Sequence, residues 1–410
     1  MKINIFKNKW IIAILAMIVI ILSGYALTTI IYPLQFVAGI TALLLLLPIF
    51  NYFFEKPKIN VYNGALLIIV GMIGLAAIVH FKQGSIMYYA LFGCFIITAF
   101  GLTLIYSFKR FVKLFLHIMT GVTIVALLGY ILVNYVFEKT FLPTASNTNN
   151  IEFAIGIIFY SITIIPERNC GIFWEPGLFA TFLTLAIIFE LLFKEDKPNI
   201  FRIILFSLAI ITAHSSAGYV IWALSMLLWL LQTFQRKVNE KVAKWIIISC
   251  AVLGGVGLLS MDFIISHTRL AENQYFQKLL FENLFSSLRM KALVQNIELF
   301  FSEPLLGVGT LVLPEDAIYF SDTATATYML RIFGILGIVY IAIWVYGILK
   351  IKDVHIISRT VLLVIMICII NKEPHMFNLF SWIFMFYLLK NSTNTLKKNA
   401  MNAPLYKEAS

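Results

Sequence analysis

The sequence predicts an all-α polytopic membrane protein. Of its 410 residues, 61% are apolar. Only 12% are charged, about half the share usual in soluble domains. Apolar runs approaching the roughly twenty residues that a helix needs to cross the hydrocarbon recur from end to end, without a sizeable soluble domain between them, which gives about twelve spans. One membrane domain over residues 1–410 follows.

The first run, Trp10 to Ile31, follows a basic leader. It is longer than a signal core and no small-x-small cleavage site precedes the next run, so it reads as an anchor that stays. Further spans are expected at Leu34 to Phe53, Val61 to His80, Ile86 to Tyr106, Phe111 to Phe137 and Ile172 to Phe193. Six more are expected at Ile203 to Ala213, Gly218 to Phe234, Trp245 to Met261, Ala324 to Leu349, Ile356 to Ile370 and Phe377 to Leu389. Of the cysteines, Cys94, Cys250 and Cys368 sit inside apolar runs and Cys170 in a connecting segment, so neither a disulfide framework nor a metal pair is implied.

One apolar run, Ile151 to Ile165, is left over, and charge placement decides its role. Lys and Arg near span ends resist translocation and collect on the cytoplasmic side. If the run does not cross, 22 of the 31 Lys and Arg fall on the inner side; if it crosses, the clusters at Arg236 to Lys244 and Lys350 to Lys352 move outside. It is therefore expected to be a re-entrant or interfacial helix buried against the spans. Twelve spans with both termini cytoplasmic follow. The net charge of +11 is then spread through short inner loops and does not form the continuous face that nucleic acid needs.

Two outer segments stand out. Residues 138–171 carry a polar Thr/Ser/Asn linker, the leftover run and the sequence Pro166-Glu-Arg-Asn-Cys-Gly. Residues 262–323 form a large outer loop with apolar positions at helical spacing from Tyr275 to Phe301. Long connections in a compact protein are usually functional.

Three motifs lie in these regions. Arg168-Asn-Cys-Gly171-Ile-Phe173-Trp174-Glu175-Pro176-Gly177 resembles the Arg-x-x-Gly-x-Phe motif of the O-antigen polymerase (Wzy) and O-antigen ligase superfamily. Thr212-Ala-His-Ser-Ser-Ala-Gly218 is similar to that family's Thr/Ser-x-Ser-Arg-Gly turn, with Ser216-Ala where arginine is often found. Arg289 and Glu303-Pro-Leu-Leu-Gly-Val-Gly309 resemble its Arg…Pro-Leu-x-Gly-x-Gly signature. The likeness covers roughly Arg168 to Gly337; earlier spans match in hydropathy alone.

The resemblance implies a GT-C-like glycosyltransferase in the bacterial inner membrane. It would pass a glycan from undecaprenyl diphosphate to an acceptor hydroxyl on the outer face. A polymerase uses the next lipid-linked repeat unit of a lipopolysaccharide, capsule or exopolysaccharide as acceptor, and a ligase uses lipid A core. A chain-length regulator and a flippase are the partners implied. Ligases of the family carry a His before the span after the large loop; Thr323-Ala-Thr-Ala-Thr-Tyr328 has none, which favours the polymerase. A lipid-linked oligosaccharide flippase remains the alternative from another class, although no repeat of two halves is visible.

A lipid diphosphate leaving group needs fixed cations or a metal. No Asp-x-Asp pair is present, so no cofactor is expected, and arginine forks are the fitting device. Arg168 and Arg289 are the expected diphosphate ligands. Arg331, Arg269, Trp174 and Tyr328 are the expected substrate contacts, and Glu175 is the candidate general base, with Asp322 and His375 behind it. Structural roles compete with each. Arg168 fits a snorkelling or ion-paired side chain, Arg289 a solvated helix face, Trp174 the interfacial aromatic belt, and Glu175 a helix cap beside Pro176. His214 reads as a turn residue, and Gly307 and Gly309 as turn glycines. Arg331, inside an apolar span, is the hardest to explain structurally.

Overall fold

The computed structural model describes residues 9–24, 26, 61–81, 86–136, 142–146, 151–156, 160–163, 165–194, 197–235, 288–310, 324–351, 354–372, 375 and 378–401. Within these, the chain is a bundle of apolar helices. They are α1 (Lys9–Leu22), α2 (Val61–Val79), α3 (Ile86–Ile105), α4 (Phe108–Ile131), α5 (Pro176–Ile188), α6 (Ile200–Thr212) and α7 (Ser216–Gln235). After α8 (Leu288–Ser302) come α9 (Thr325–Phe333), α10 (Ile338–Leu349), α11 (Ile356–Ile370) and α12 (Leu379–Met401). Wide π turns extend α4 over Leu132–Val136 and α5 over Phe189–Phe193, and a 3-10 turn, Gly334–Gly337, joins α9 to α10.

Among the described residues, four stretches are long and apolar enough to cross a membrane: Phe108–Val136, Pro176–Phe193, Ser216–Thr233 and Thr325–Leu349. Six shorter apolar helices accompany them. Together they fall in ten of the twelve segments expected to span, four of them at crossing length; Leu34 to Phe53 and Trp245 to Met261 lie outside the described residues. The burial pattern is that of a membrane protein. On α6, Ile204, Leu208 and Ile211 share one face and are exposed, and Ile124, Leu128 and Ile131 do the same on α4. Apolar ridges of this extent face lipid.

The core is built on α5 and the first part of α12. Every residue of α5 is buried, as is Leu379 through Leu389. A helix apolar on all sides belongs in the interior. Aromatic rings join these helices to α4. Phe115 lies 4.7 Å from Phe380 and 5.1 Å from Phe189, and Phe108 lies 5.1 Å from Phe193. Such pairs contribute about 0.5–1.5 kcal/mol each beyond area burial.

The expected re-entrant or interfacial helix at Ile151 to Ile165 is corrected by the structure. That segment contributes β2 (Glu152–Ile155) and β3 (Tyr160–Ile162), which with β1 (Thr144–Ser146) make a small antiparallel sheet in the order β1-β2-β3. Ala154 stands opposite both Thr144 and Ser161. The reason is composition: seven of the fifteen residues are Ile, with two Phe, a Tyr and a Thr, and Gly156 interrupts the run, which favours extended backbone. Over the described residues the fold is therefore helical with one small sheet, not purely α.

The sheet segment does not cross the bundle. The end of α4 meets the start of the next helix at one end of the bundle: Asn134 Nδ2 donates to the Pro166 carbonyl (3.1 Å), and Asn169 Nδ2 to that of Ala126 (3.4 Å). The first turn of α4 meets the last turns of α5 at the other. Lysines and arginines concentrate at that second end, including Lys109, Arg110, Lys113, Lys194 and Arg202.

Candidate functional site

The Arg168 loop is held by its own small residues. Asn169 is buried; its backbone N donates to the Thr212 carbonyl (2.9 Å), its side-chain amide to Thr212 Oγ1 (3.0 Å), and its Oδ1 accepts from Gly171 N (2.9 Å). Gly171 has φ +58, and a Cβ there would press on the Phe179 ring at 3.0 Å, so the position needs glycine. Phe173 anchors the loop, stacking on Phe182 at 4.6 Å. Trp174 N donates to the Gly24 carbonyl (3.1 Å) and Ala26 N to that of Ile172 (2.9 Å), which ties the end of α1 to the same loop.

The second motif lies against the first. His214 takes φ +45, a turn conformation uncommon for a side chain with a Cβ, and its Nδ1 is 3.3 Å from the Tyr219 hydroxyl. Ser215 Oγ accepts from Gly218 N (3.2 Å) and caps α7. A Cβ at Gly218 would lie 2.8 Å from that of Ala180, so glycine lets α7 approach α5.

These two motifs and two further elements wall a cleft of about 710 Å³. Arg168, Trp174, Glu175 and Gly177 come from the first motif and His214 through Ala217 from the second. Met290 and Leu293 come from α8, and Cys368, Asn371 and Lys372 from the end of α11. Ile151, Ile162 and Ile165 close the sheet side, and Val220 and Ile221 continue the apolar wall along α7.

Glu175 occupies the N-cap position of α5, with Pro176 in the first helical place, yet its side chain makes no capping hydrogen bond. Glu175 is one of the residues that line the cleft. Arg168 is half-buried, and its Nε donates to the Ala213 carbonyl (3.4 Å). Burial, helped by the nearby Arg168 charge and opposed by Glu167, lowers the His214 pKa, so its imidazole is neutral at ordinary pH.

Sequence reasoning missed Lys372. It is 3% exposed, and its ammonium donates to the Gly177 carbonyl (2.6 Å) and to Thr181 Oγ1 (3.2 Å). The available signal was a lysine closing an apolar run on the side where cations are scarce. Arg168 and Lys372 thus bring two cations to one cleft, both fixed by backbone carbonyls.

The remaining expected residues are placed differently. Arg289 lies in the first turn of α8, beside the cleft residue Met290; its side chain, like Arg269 and Asp322, lies outside the described residues. Arg331 and Tyr328 do not line the cleft. Both are buried on α9, with the Arg331 guanidinium 5.3 Å from the Tyr328 ring centroid. There they underlie the third motif: Val308 N donates to the Arg331 carbonyl (2.9 Å), and a Cβ on Gly307, at φ +73, would come within 2.4 Å of that oxygen. Gly309 also has positive φ. His375 is buried off the cleft wall, with Nδ1 2.7 Å from Ser381 Oγ, and burial together with the Lys372 charge pushes its pKa down to about 3. A group so weakly basic and so enclosed makes a poor general base.

Among the described residues, no cluster of His, Cys, Asp and Glu could hold a metal ion. No family model matches the chain, and neither a curated protein nor a solved structure matches it.

Proposed function

We propose that this protein is an integral membrane glycosyltransferase that passes a glycan from a polyprenyl diphosphate to the hydroxyl of the next lipid-linked repeat unit. The observation that carries this reading is the cleft: cations, a carboxylate and an apolar wall meet where motifs distant in the chain converge. The chemistry divides along its walls. Arg168 and Lys372 offer charge to a diphosphate leaving group, where fixed donors are most effective in a site of low dielectric. Glu175, not engaged in capping, is placed to accept the acceptor hydroxyl's proton. Val220, Ile221 and Leu293 give an isoprenoid chain an apolar path, and Trp174 offers a sugar face its ring. In this reading the cleft opens on the outer face of a bacterial inner membrane, about twelve helices span it, and the basic end faces the cytoplasm, as the positive-inside rule requires.

The test is turnover of the purified chain in lipid, with the undecaprenyl-diphosphate repeat unit extracted from cells that carry it as the only substrate. A ladder of lengthened lipid-linked glycans that disappears in Arg168→Ala supports the polymerase. Transfer only when lipid A core is added replaces it with the ligase. Translocation across vesicles without new glycosidic bonds replaces it with the flippase.

A further inference from the structure

A second cavity, of about 150 Å³, is a slot between α10 and α11. These helices form a hairpin, so the start of α10 and the end of α11 lie together at the cleft end of the bundle. Residues one turn apart lay the slot along both helices. Tyr340 and Trp344 of α10 and Met366 and Ile370 of α11 are buried and make its floor. Ile341 and Val345 form one partly exposed rim, and Leu363 and Ile367 the other. From Leu363 to Asn371 the chain advances about 12 Å, room for one hydrocarbon chain laid lengthwise. The core fixes the floor in advance: Tyr340 meets Trp382 edge-on at 5.2 Å, and Trp344 meets Phe384 at 5.7 Å.

The slot is continuous with the cleft. Cys368 and Lys372 line the cleft, Met366 and Ile370 line the slot, and Asn371 lines both. Its amide is fixed at that crossing: Oδ1 accepts from Ala326 N (3.3 Å) and Nδ2 donates to the Ile367 carbonyl (3.0 Å). Asn371 thus puts a polar group at the cleft end, and below it the lining is hydrocarbon and aromatic. That order suits an amphiphile whose head reaches over Asn371 into the cleft while its chain lies between the helices. Side chains one turn apart leave notches along the floor. A methyl-branched chain fills notches that a straight acyl chain leaves empty, and empty notches forfeit contact.

We propose that the slot holds the isoprenoid chain of a second polyprenyl carrier, so that two lipid-linked reactants meet at one cleft. One chain runs along Val220 and Ile221 of α7, and the other between α10 and α11. This rests on the glycan-transfer reading, in which donor and acceptor each carry such a chain and each needs a path of its own.

Native mass spectrometry of the full chain, titrated in detergent with undecaprenyl phosphate, tests it. Wild type should bind two copies. Val345→Trp, which lays an indole over the slot from its rim, should weaken one binding step by about tenfold, the share of two buried methylene groups. Val220→Trp should weaken the other step. Val364→Trp, on the exposed face of α11 and outside the slot, should leave both intact. A single copy on wild type would overturn the proposal without any variant having to fold. So would an equal loss in Val364→Trp, which would mean diffuse lipid around the bundle. If hexadecyl phosphate, whose chain is straight, takes both steps as well as undecaprenyl phosphate does, the slot accepts any alkyl chain and the isoprenoid assignment fails. The glycan-transfer reading is judged separately, by turnover. Two copies without transfer support the slot and sink the polymerase, and transfer with a single copy does the reverse.

Discussion

The two ends of the α4 and α5 pair use the same kinds of cation in opposite ways. At the basic end, Lys194 and Arg202 are held by a buried carboxylate, so much of their charge is spent on Glu190. At the cleft, Arg168 and Lys372 are held by the carbonyls of Ala213 and Gly177. A carbonyl carries no formal charge, so that contact positions a cation without neutralising it. The contrast separates cations fastened by a carboxylate from cations positioned by carbonyls.

Four experiments test that contrast. The largest effect is expected where charge fastens the bundle. Glu190→Gln should lower stability by about 3 kcal/mol, the low end for breaking a buried pair because both cations keep some contact with solvent, and thermal unfolding in detergent measures it. A change under 1 kcal/mol would mean that Glu190 is not the fastener. Next, Arg168→Ala should reduce glycan transfer by about a hundredfold with its unfolding temperature little changed, and Arg168→Lys should recover part of the loss. An equal fall in stability would reassign Arg168 to the first kind of cation. Gly171→Ala, which forces a Cβ onto Phe179 at positive φ, should cost about 1–2 kcal/mol and displace the Arg168 loop. Unchanged activity and stability would show that the loop geometry is not required.

The smallest effect near neutral pH concerns His375. Its pKa falls from 6.5 to about 3 on folding, so between those values the unfolded chain binds more protons. Stability should be full above pH 6.5 and decline as pH falls toward 3, and His375→Gln should flatten that slope. A slope unaffected by the substitution would assign the acid sensitivity to other groups.

Most of the helical framework was legible because long apolar runs leave the chain little choice of environment. The sheet was not. A fifteen-residue apolar run such as Ile151 to Ile165 suits a short helix or two strands equally by hydropathy, and only its β-branched content points to strands. Arg168, Trp174 and Glu175 were legible as a local motif, and the cleft unites them. Lys372 was not, because a lone lysine after an apolar run looks like any span terminus. Glu190 was hidden inside an expected span, where basic residues alone were weighed; an acidic residue in such a run was the signal to follow. Arg331 shows the opposite case, since it is as buried as its sequence position suggests yet supports the Pro304–Gly309 loop and not the cleft.

The end of α1 is stapled to the start of α12. Ser23 Oγ accepts from Phe380 N at 2.8 Å, and the Ser23 carbonyl from Asn378 Nδ2 at 3.1 Å, across 357 and 355 positions of chain. Lys372 enters the cleft just ahead of that staple. A ribosome delivering helices in order would therefore leave α1 waiting for α12, and the cleft without its buried lysine until α11 has been made. Chains cut short before α12 would lack both bonds and leave Phe182 of α5 without its Phe380 neighbour 5.2 Å away.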